Sequence, residues 1–394
     1  MARTAQLGTL EVRTIYYIIE HIASGQVASF KRRLGRRMGG HGARGRYAGT
    51  SMHPPTSAFS RLHALRNILL CGLLAAGSLE AQAQSAACLA TAQRAPLPRA
   101  VAMAAAAATE HAAFGGQALD AEGRLLLSGD AEGEDTRRGW GAPAPWQRVM
   151  KYWSAVDRET ERLPSLVRYG ALRPADRSLL QQALQQATSA RLQGLGVGPD
   201  EGLSSSELGA LRVALDRVAV IDTPWSAAFI SWLAREAGLQ PGEFAFSPAH
   251  ADYAAAAWQA GAAEAGGAAS TAYALRACDL LQTTPRVGDL ACQARASDAG
   301  LDSFDKIGDA LMQRRIDGAA LRMHCDVVVA VDASGFDTVG GNVLQSVTLR
   351  RLAFAPGTTR LDPSYLPQVC AEGAPDCVDR HMSRQPWTLL LQWR

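Results

Sequence analysis

The chain has 394 residues, 47% hydrophobic and 20% charged, with a formal net charge of +3. That balance suits a protein with a buried core and excludes one disordered throughout. No apolar run reaches the roughly 18 residues of a membrane-spanning helix, so no transmembrane segment is expected.

The N-terminal part reads as targeting sequence. Residues 1–51 carry the basic clusters Lys31-Arg32-Arg33 and Arg36-Arg37, and Met52 makes a natural start, so 1–51 is read as a cleaved leader or as sequence outside the native chain. Residues 52–83 have the order of a signal peptide: Arg61, His63 and Arg66, then the apolar run 68–76, then small Ala81 and Ala83. Cleavage is expected near Ala83, with export to the periplasm or beyond. Residues 1–83 hold 11 Lys or Arg against 3 Asp or Glu, which leaves the mature chain at −5 and gives no reason to expect a nucleic-acid partner.

Residues 84–144 are rich in alanine, then in glycine and polar residues, and are expected to be linker and loop. From there helical periodicity begins. Trp146, Val149, Met150, Trp153 and Val156 mark one helix, and Leu179, Leu180 and Leu184 a second. Ser204 and Glu207 form a capping box for a third. Asp222 or Thr223 can cap a fourth, with Pro224 in its first turn, Phe229, Ile230 and Leu233 on its apolar face and Gly238 at its end. Ser226 therefore falls in a first helical turn. His250 is read as loop, and the alanine-rich stretch 251–269 is given little weight as helix because alanine is abundant throughout.

The period then shortens to two. Residues 287–295, 324–332 and 338–354 are expected strands, with a hairpin turn at Asp332-Ala333-Ser334-Gly335. Helices followed by a small antiparallel sheet define an α+β domain over 145–360, with 361–394 as a C-terminal extension. Six cysteines follow residue 83, and no C-x-x-C or Cys–His spacing suggests a metal site; no cofactor is expected. Gly373 and Pro375 can turn the chain so that Cys370 and Cys377 approach within disulfide reach. Pairing of Cys88, Cys278, Cys292 and Cys325 stays open.

After residue 83 the only histidines are His111, His250, His324 and His381. A serine at a helix start, facing a histidine at a strand start and a polar residue on the next strand, has the logic of a nucleophile, base and orienter. Taken singly, each has a plainer reading: Ser226 as a helix cap, His324 as a strand-end residue, Asn342 as a turn residue. Tryptophans 146, 153, 225 and 232 read first as core.

Four motifs in order resemble one family. Pro224-Trp225-Ser226-Ala227-Ala228-Phe229-Ile230-Ser231-Trp232 resembles the nucleophile helix of the papain-like CHAP-type cell-wall amidases, with serine in place of cysteine. Arg286-Val287-Gly288-Asp289-Leu290 resembles their strand entry, His324 with Val327-Val328-Val329 their histidine strand, and Gly340-Gly341-Asn342 the strand after it. A bacterial domain of unknown function near that superfamily is similar as well. The resemblance implies a papain-like fold, Ser226 as nucleophile, His324 as base, Asn342 as orienter, and peptidoglycan or another peptide as partner. It implies a Ser226–His324 hydrogen bond under a concave surface lined by Trp225 and His250. A serine hydroxyl ionises far less readily than a thiol, so catalysis would require proton transfer to the histidine during attack, and the alternatives are an active serine amidase, a binder and a structural envelope protein.

Overall fold

A computed structural model describes residues 84–156, 223–267, 271–367 and 380–394, with seven further positions between 205 and 220, all helical. The leader, the signal peptide, the helix expected at Leu179, the capping box at Ser204 and the Cys370–Cys377 pair lie outside the described residues.

The segment expected to be linker is part of the fold. Helix α1 (Pro98–Ala113) starts with proline, and it buries Ala100, Met103, Ala104 and Ala107 at the spacing of one helical face. Its alanines are therefore packing residues, and they let the helix lie close on the sheet. Two short strands follow, β1 (Ala118–Leu119) and β2 (Leu125–Leu127), and then α2 (Pro145–Trp153), which buries Trp146, Val149, Tyr152 and Trp153. Helix α3 (Ser226–Glu236) buries every residue from Ser226 to Ala234, so it runs through the middle of the core. Helix α4 (His250–Ala265) occupies the alanine-rich stretch that composition had led us to discount.

The sheet is larger than expected. Strands β3 (Leu275–Asp279), β4 (Leu290–Ala294), β5 (Met323–Val331), β6 (Gly335–Val343), β7 (Ser346–Ala353) and β8 (Trp387–Trp393) join β1 and β2 in the order β2-β1-β7-β6-β5-β4-β8-β3. Every pairing is antiparallel except β1 with β7. The expected strand 338–354 is two strands, because Asn342, Leu344 and Gln345 take positive φ of 56°, 50° and 61° and turn the chain. Helix α5 (Phe304–Asp317), between β4 and β5, is capped by the Ser303 side chain and ended by Gly318 in the left-handed region.

The supposed C-terminal extension supplies an interior strand. All seven residues of β8 are buried between β4 and β3. Alternation sends Leu389, Leu391 and Trp393 to the larger apolar cluster with the helices and Leu390 to a smaller one, and Trp387, beyond a register shift against β4, joins the smaller one as well. A strand apolar on both faces has no period-two signal to read. Two disulfides complete the frame, Cys88–Cys278 fixing helical residues 84–92 to β3 and Cys292–Cys325 joining directly opposed residues of β4 and β5. Every described residue falls in one compact unit running from Arg66 to Arg394, and this is a mixed α/β architecture rather than helices beside a small sheet.

Candidate functional site

Ser226 opens α3 and His250 opens α4. The loop between the helices is pinned by Ser231, whose buried hydroxyl donates to the Ser247 carbonyl (2.9 Å) and accepts the Ser247 N–H (3.1 Å). The Ser247 hydroxyl accepts the Ala249 N–H (3.0 Å) and donates to Asp252 in the first turn of α4 (2.5 Å). These bonds set the start of α4 against α3, and Ser226 Oγ lies 2.7 Å from His250 Nε2.

The other ring nitrogen, His250 Nδ1, meets the Tyr253 hydroxyl three residues along the same helix. Burial pushes the Tyr253 phenol well above its ordinary range, so the O–H keeps its proton. Burial, with His324 and Arg295 adding to it, pushes His250 well below the ordinary histidine value, so the ring is neutral. The Tyr253 hydroxyl has no other hydrogen-bond partner among the described residues, and stranding a buried O–H costs roughly 1–3 kcal/mol. Tyr253 therefore donates to Nδ1, the proton of the neutral ring sits on Nε2, and Nε2–H donates to Ser226 Oγ. The Ser226 proton is left free for another acceptor.

A second pair lies beside the first. His324 Nε2 is 2.7 Å from Asp326 Oδ1, two residues along β5 and hence on the same side of the strand. Burial works against the charged carboxylate of Asp326, but His324, Arg350 and the Thr338 hydroxyl outweigh it and hold its pKa below the usual value. Gly340 on β6 makes room for the pair: a Cβ there would come within 1.9 Å of Asp326 Oδ1 and 3.0 Å of His324 Nε2. The His250 and His324 rings are 5.3 Å apart, edge to face. Among the described residues the enclosed His324 Nδ1 has no partner; neither has the enclosed Oε1 of Gln293, directly opposite His324 on β4.

The expected triad is thus rearranged. Ser226 bonds to His250, foreseen only as a lining residue, and not to His324. Asn342 does not orient His324, because its amide donates to Glu132 Oε2 (3.1 Å) and accepts the Trp225 N–H (3.2 Å). Asp326 is the group that orients His324. Trp225 lines no open surface: it is fully buried against Phe114, Tyr152 and Phe229, and its indole N–H donates to Glu132 (2.9 Å). Cys325, next to His324, has its sulfur bonded to Cys292. A cleft of about 350 Å³ opens instead beyond the end of β4, with Ser297, Asp298, Leu301, Arg314 and Leu321 among its walls.

Tyr253, Asp326, Gln293 and Arg295 were not foreseen. Signals for two of them existed: His324-x-Asp326 is a same-face pair on a strand, and His250–Tyr253 is a same-face pair once 250–265 is helix. The other two carry no local signal.

Serine–histidine–tyrosine and histidine–aspartate chains meeting between two helix starts and a central strand define a mixed α/β protein with a buried polar site. Residues 141–393, more than half of the chain, match the model of a family described as an uncharacterized protein conserved in bacteria (DUF2272), and the chain belongs to that family. Comparison with curated proteins and with solved structures gave no match. Among the described residues no helix is long and apolar enough to cross a membrane.

Proposed function

We propose that this chain is an exported bacterial envelope protein with a papain-like, CHAP-related domain that holds an amide-bearing ligand, cell-wall peptide being the class that the motif resemblance favours. The observation that carries the reading is the Ser226–His250 bond of 2.7 Å with Tyr253 on the far ring nitrogen. In that arrangement Ser226 accepts from His250 and offers its own O–H to a ligand. The first turn of α3, where Ser226 sits, also carries backbone N–H groups without intrahelical acceptors, which suit a carbonyl oxygen. Two disulfides support export, since such bonds persist in oxidising compartments.

Hydrolysis is the second reading, and one observation favours it. His324, oriented by Asp326, has an Nδ1 without a partner among the described residues, which is the form of a general base. Ser226 would have to leave His250 and turn to that nitrogen to be activated. Incubating the purified protein with peptidoglycan separates the readings: co-sedimentation without release of stem peptides, weakened in Ser226→Ala, is expected. Release abolished by both Ser226→Ala and His324→Ala would make the protein a hydrolase, and neither retention nor release would overturn the proposal. Export is checked by mass spectrometry of protein taken from its own envelope, where an N-terminus near Gln84 is expected.

A further inference from the structure

We propose that the cleft beyond the end of β4 binds a free α-amino acid with an aliphatic side chain, Arg314 holding its carboxylate and Asp298 its ammonium. None of the residues that line this cleft belongs to the Ser226 site.

Three segments build the cleft. After β4 the chain makes a short helical turn (Ala296–Asp298), which Ala296 enters at a φ of 56°, and runs on to the Ser303 cap of α5. The second half of α5 supplies Ala310, Gln313 and Arg314, three and four residues apart and hence on one helical face. Past Gly318, which ends the helix, Ala319, Ala320 and Leu321 form the remaining wall and lead into β5. Small residues keep the space open: a Cβ at Gly300 would meet nothing within 4 Å, and Ala310 and Ala319 carry single methyl groups. The resulting volume of about 350 Å³ falls in the range of roughly 300–1,000 Å³ typical of small-molecule sites.

The polar groups of the lining are held in place by neighbours and still have capacity to spare. Arg314 spends one N–H on the Ala319 carbonyl (2.7 Å) and one on Asp252 (2.7 Å), and a guanidinium has five N–H donors. Asp298 takes the Arg322 backbone N–H on Oδ2 (2.8 Å), and its Oδ1 has no partner among the described residues. The Ser297 hydroxyl oxygen accepts from the Arg322 guanidinium, which leaves its own O–H to donate. Gln313 donates to Asp317 (3.0 Å) and has an amide oxygen to accept with. The lining thus carries one cation, Arg314, and one anion, Asp298, beside the alkyl groups of Leu301 and Leu321.

An aliphatic amino acid complements that set. Its carboxylate accepts from Arg314 and from the Ser297 hydroxyl, as charge-assisted hydrogen bonds favour. Its ammonium donates to Asp298 Oδ1 and to the Gln313 amide oxygen, and its side chain covers Leu301 and Leu321. A simple carboxylic acid would bring nothing for Asp298 and an amine nothing for Arg314, and an internal stretch of peptide backbone carries neither charge.

The test is calorimetric titration of the full chain with L-leucine and with its two truncated analogues, isocaproate, which lacks the ammonium, and isoamylamine, which lacks the carboxylate. Leucine is expected to bind with a Kd of roughly 1 mM or tighter, and each analogue roughly 10-fold or more weakly. Asp298→Asn, which keeps an oxygen for the Arg322 N–H, should bind leucine and isocaproate alike. Ala310→Leu, which fills the cleft without touching a charge, should lose leucine binding at an unchanged thermal midpoint. An analogue that binds the unaltered protein as tightly as leucine overturns the requirement for both charges, whether or not either variant folds. A preference for leucine over isocaproate that survives Asp298→Asn overturns the role of Asp298, and leucine binding that survives Ala310→Leu overturns the cleft as its place. Absence of saturable leucine binding up to about 10 mM overturns the whole assignment.

Discussion

Two polar networks meet at the start of α3, one on each side of the bond between Trp225 and Ser226. On the Trp225 side, the indole N–H, the backbone N–H of the same residue and the Asn342 amide are satisfied among Glu132 and Asn342, and the ring is enclosed by aromatic residues. On the Ser226 side, His324 Nδ1 and Gln293 Oε1 are enclosed without partners among the described residues. Each unmade hydrogen bond of a buried group costs roughly 1–3 kcal/mol, so the Ser226 network carries a cost that the network around the Trp225 indole does not. The first network holds the helix start in position. The second leaves buried polar atoms open among the described residues.

The contrast can be broken at its structural end first. Trp225→Ala should cost about 3–5 kcal/mol, measured as a fall in the urea midpoint, because the cavity forms inside the core and Glu132 loses a donor. A cost under about 1 kcal/mol would mean that Trp225 belongs to a surface and the two networks are not different in kind.

The pH dependence of stability sharpens the other side. An unfolded chain protonates His250 near pH 6.5, whereas in the folded protein burial, His324 and Arg295 all oppose that proton. The unfolded state therefore binds more protons below pH 6.5, and this contribution to stability is complete above that pH and falls as the pH drops. The slope is at most about 1.4 kcal/mol per pH unit. His250→Gln should give a shallower loss between pH 6.5 and 5 in denaturant titrations, and an unchanged slope would place the ring in contact with water.

The smallest stability effect is the most telling. Gln293→Leu removes an acceptor that has no partner among the described residues, so in denaturant titrations it should leave stability within about 1 kcal/mol of the parent or raise it. A loss above about 2 kcal/mol would show that Gln293 is structural and that the open network is closed from within.

The site was half legible. Ser226 at a first helical turn follows from the Thr223-Pro224 start and the apolar face of Phe229, Ile230 and Leu233, all of them local. His324 on a strand follows from the β-branched run after it. That His250 rather than His324 would reach Ser226 was hidden twice: the alanines of α4 look the same whether they reflect composition or a close-packed helix, and the pinning of the loop by Ser231 and Ser247 is a contact between helices. Asn342 was misread for a related reason, since the positive φ that turns the chain between β6 and β7 carries its amide to Trp225 and Glu132.

By itself the sequence determined what depends on neighbours in the chain: the helices at Trp146 and Ser226, the strands of the central sheet, the hairpin at Asp332–Gly335 and the membership of chemistry-bearing residues in one stretch. Only the tertiary structure decided that residues 84–144 and 387–393 belong to the fold, that Cys88 pairs with Cys278 and Cys292 with Cys325, and which polar groups at the site stay open. Periodicity records which face of an element is buried, but not what it is buried against; partners distant in the chain are chosen by strand register and helix packing, and those exist only once the core has formed.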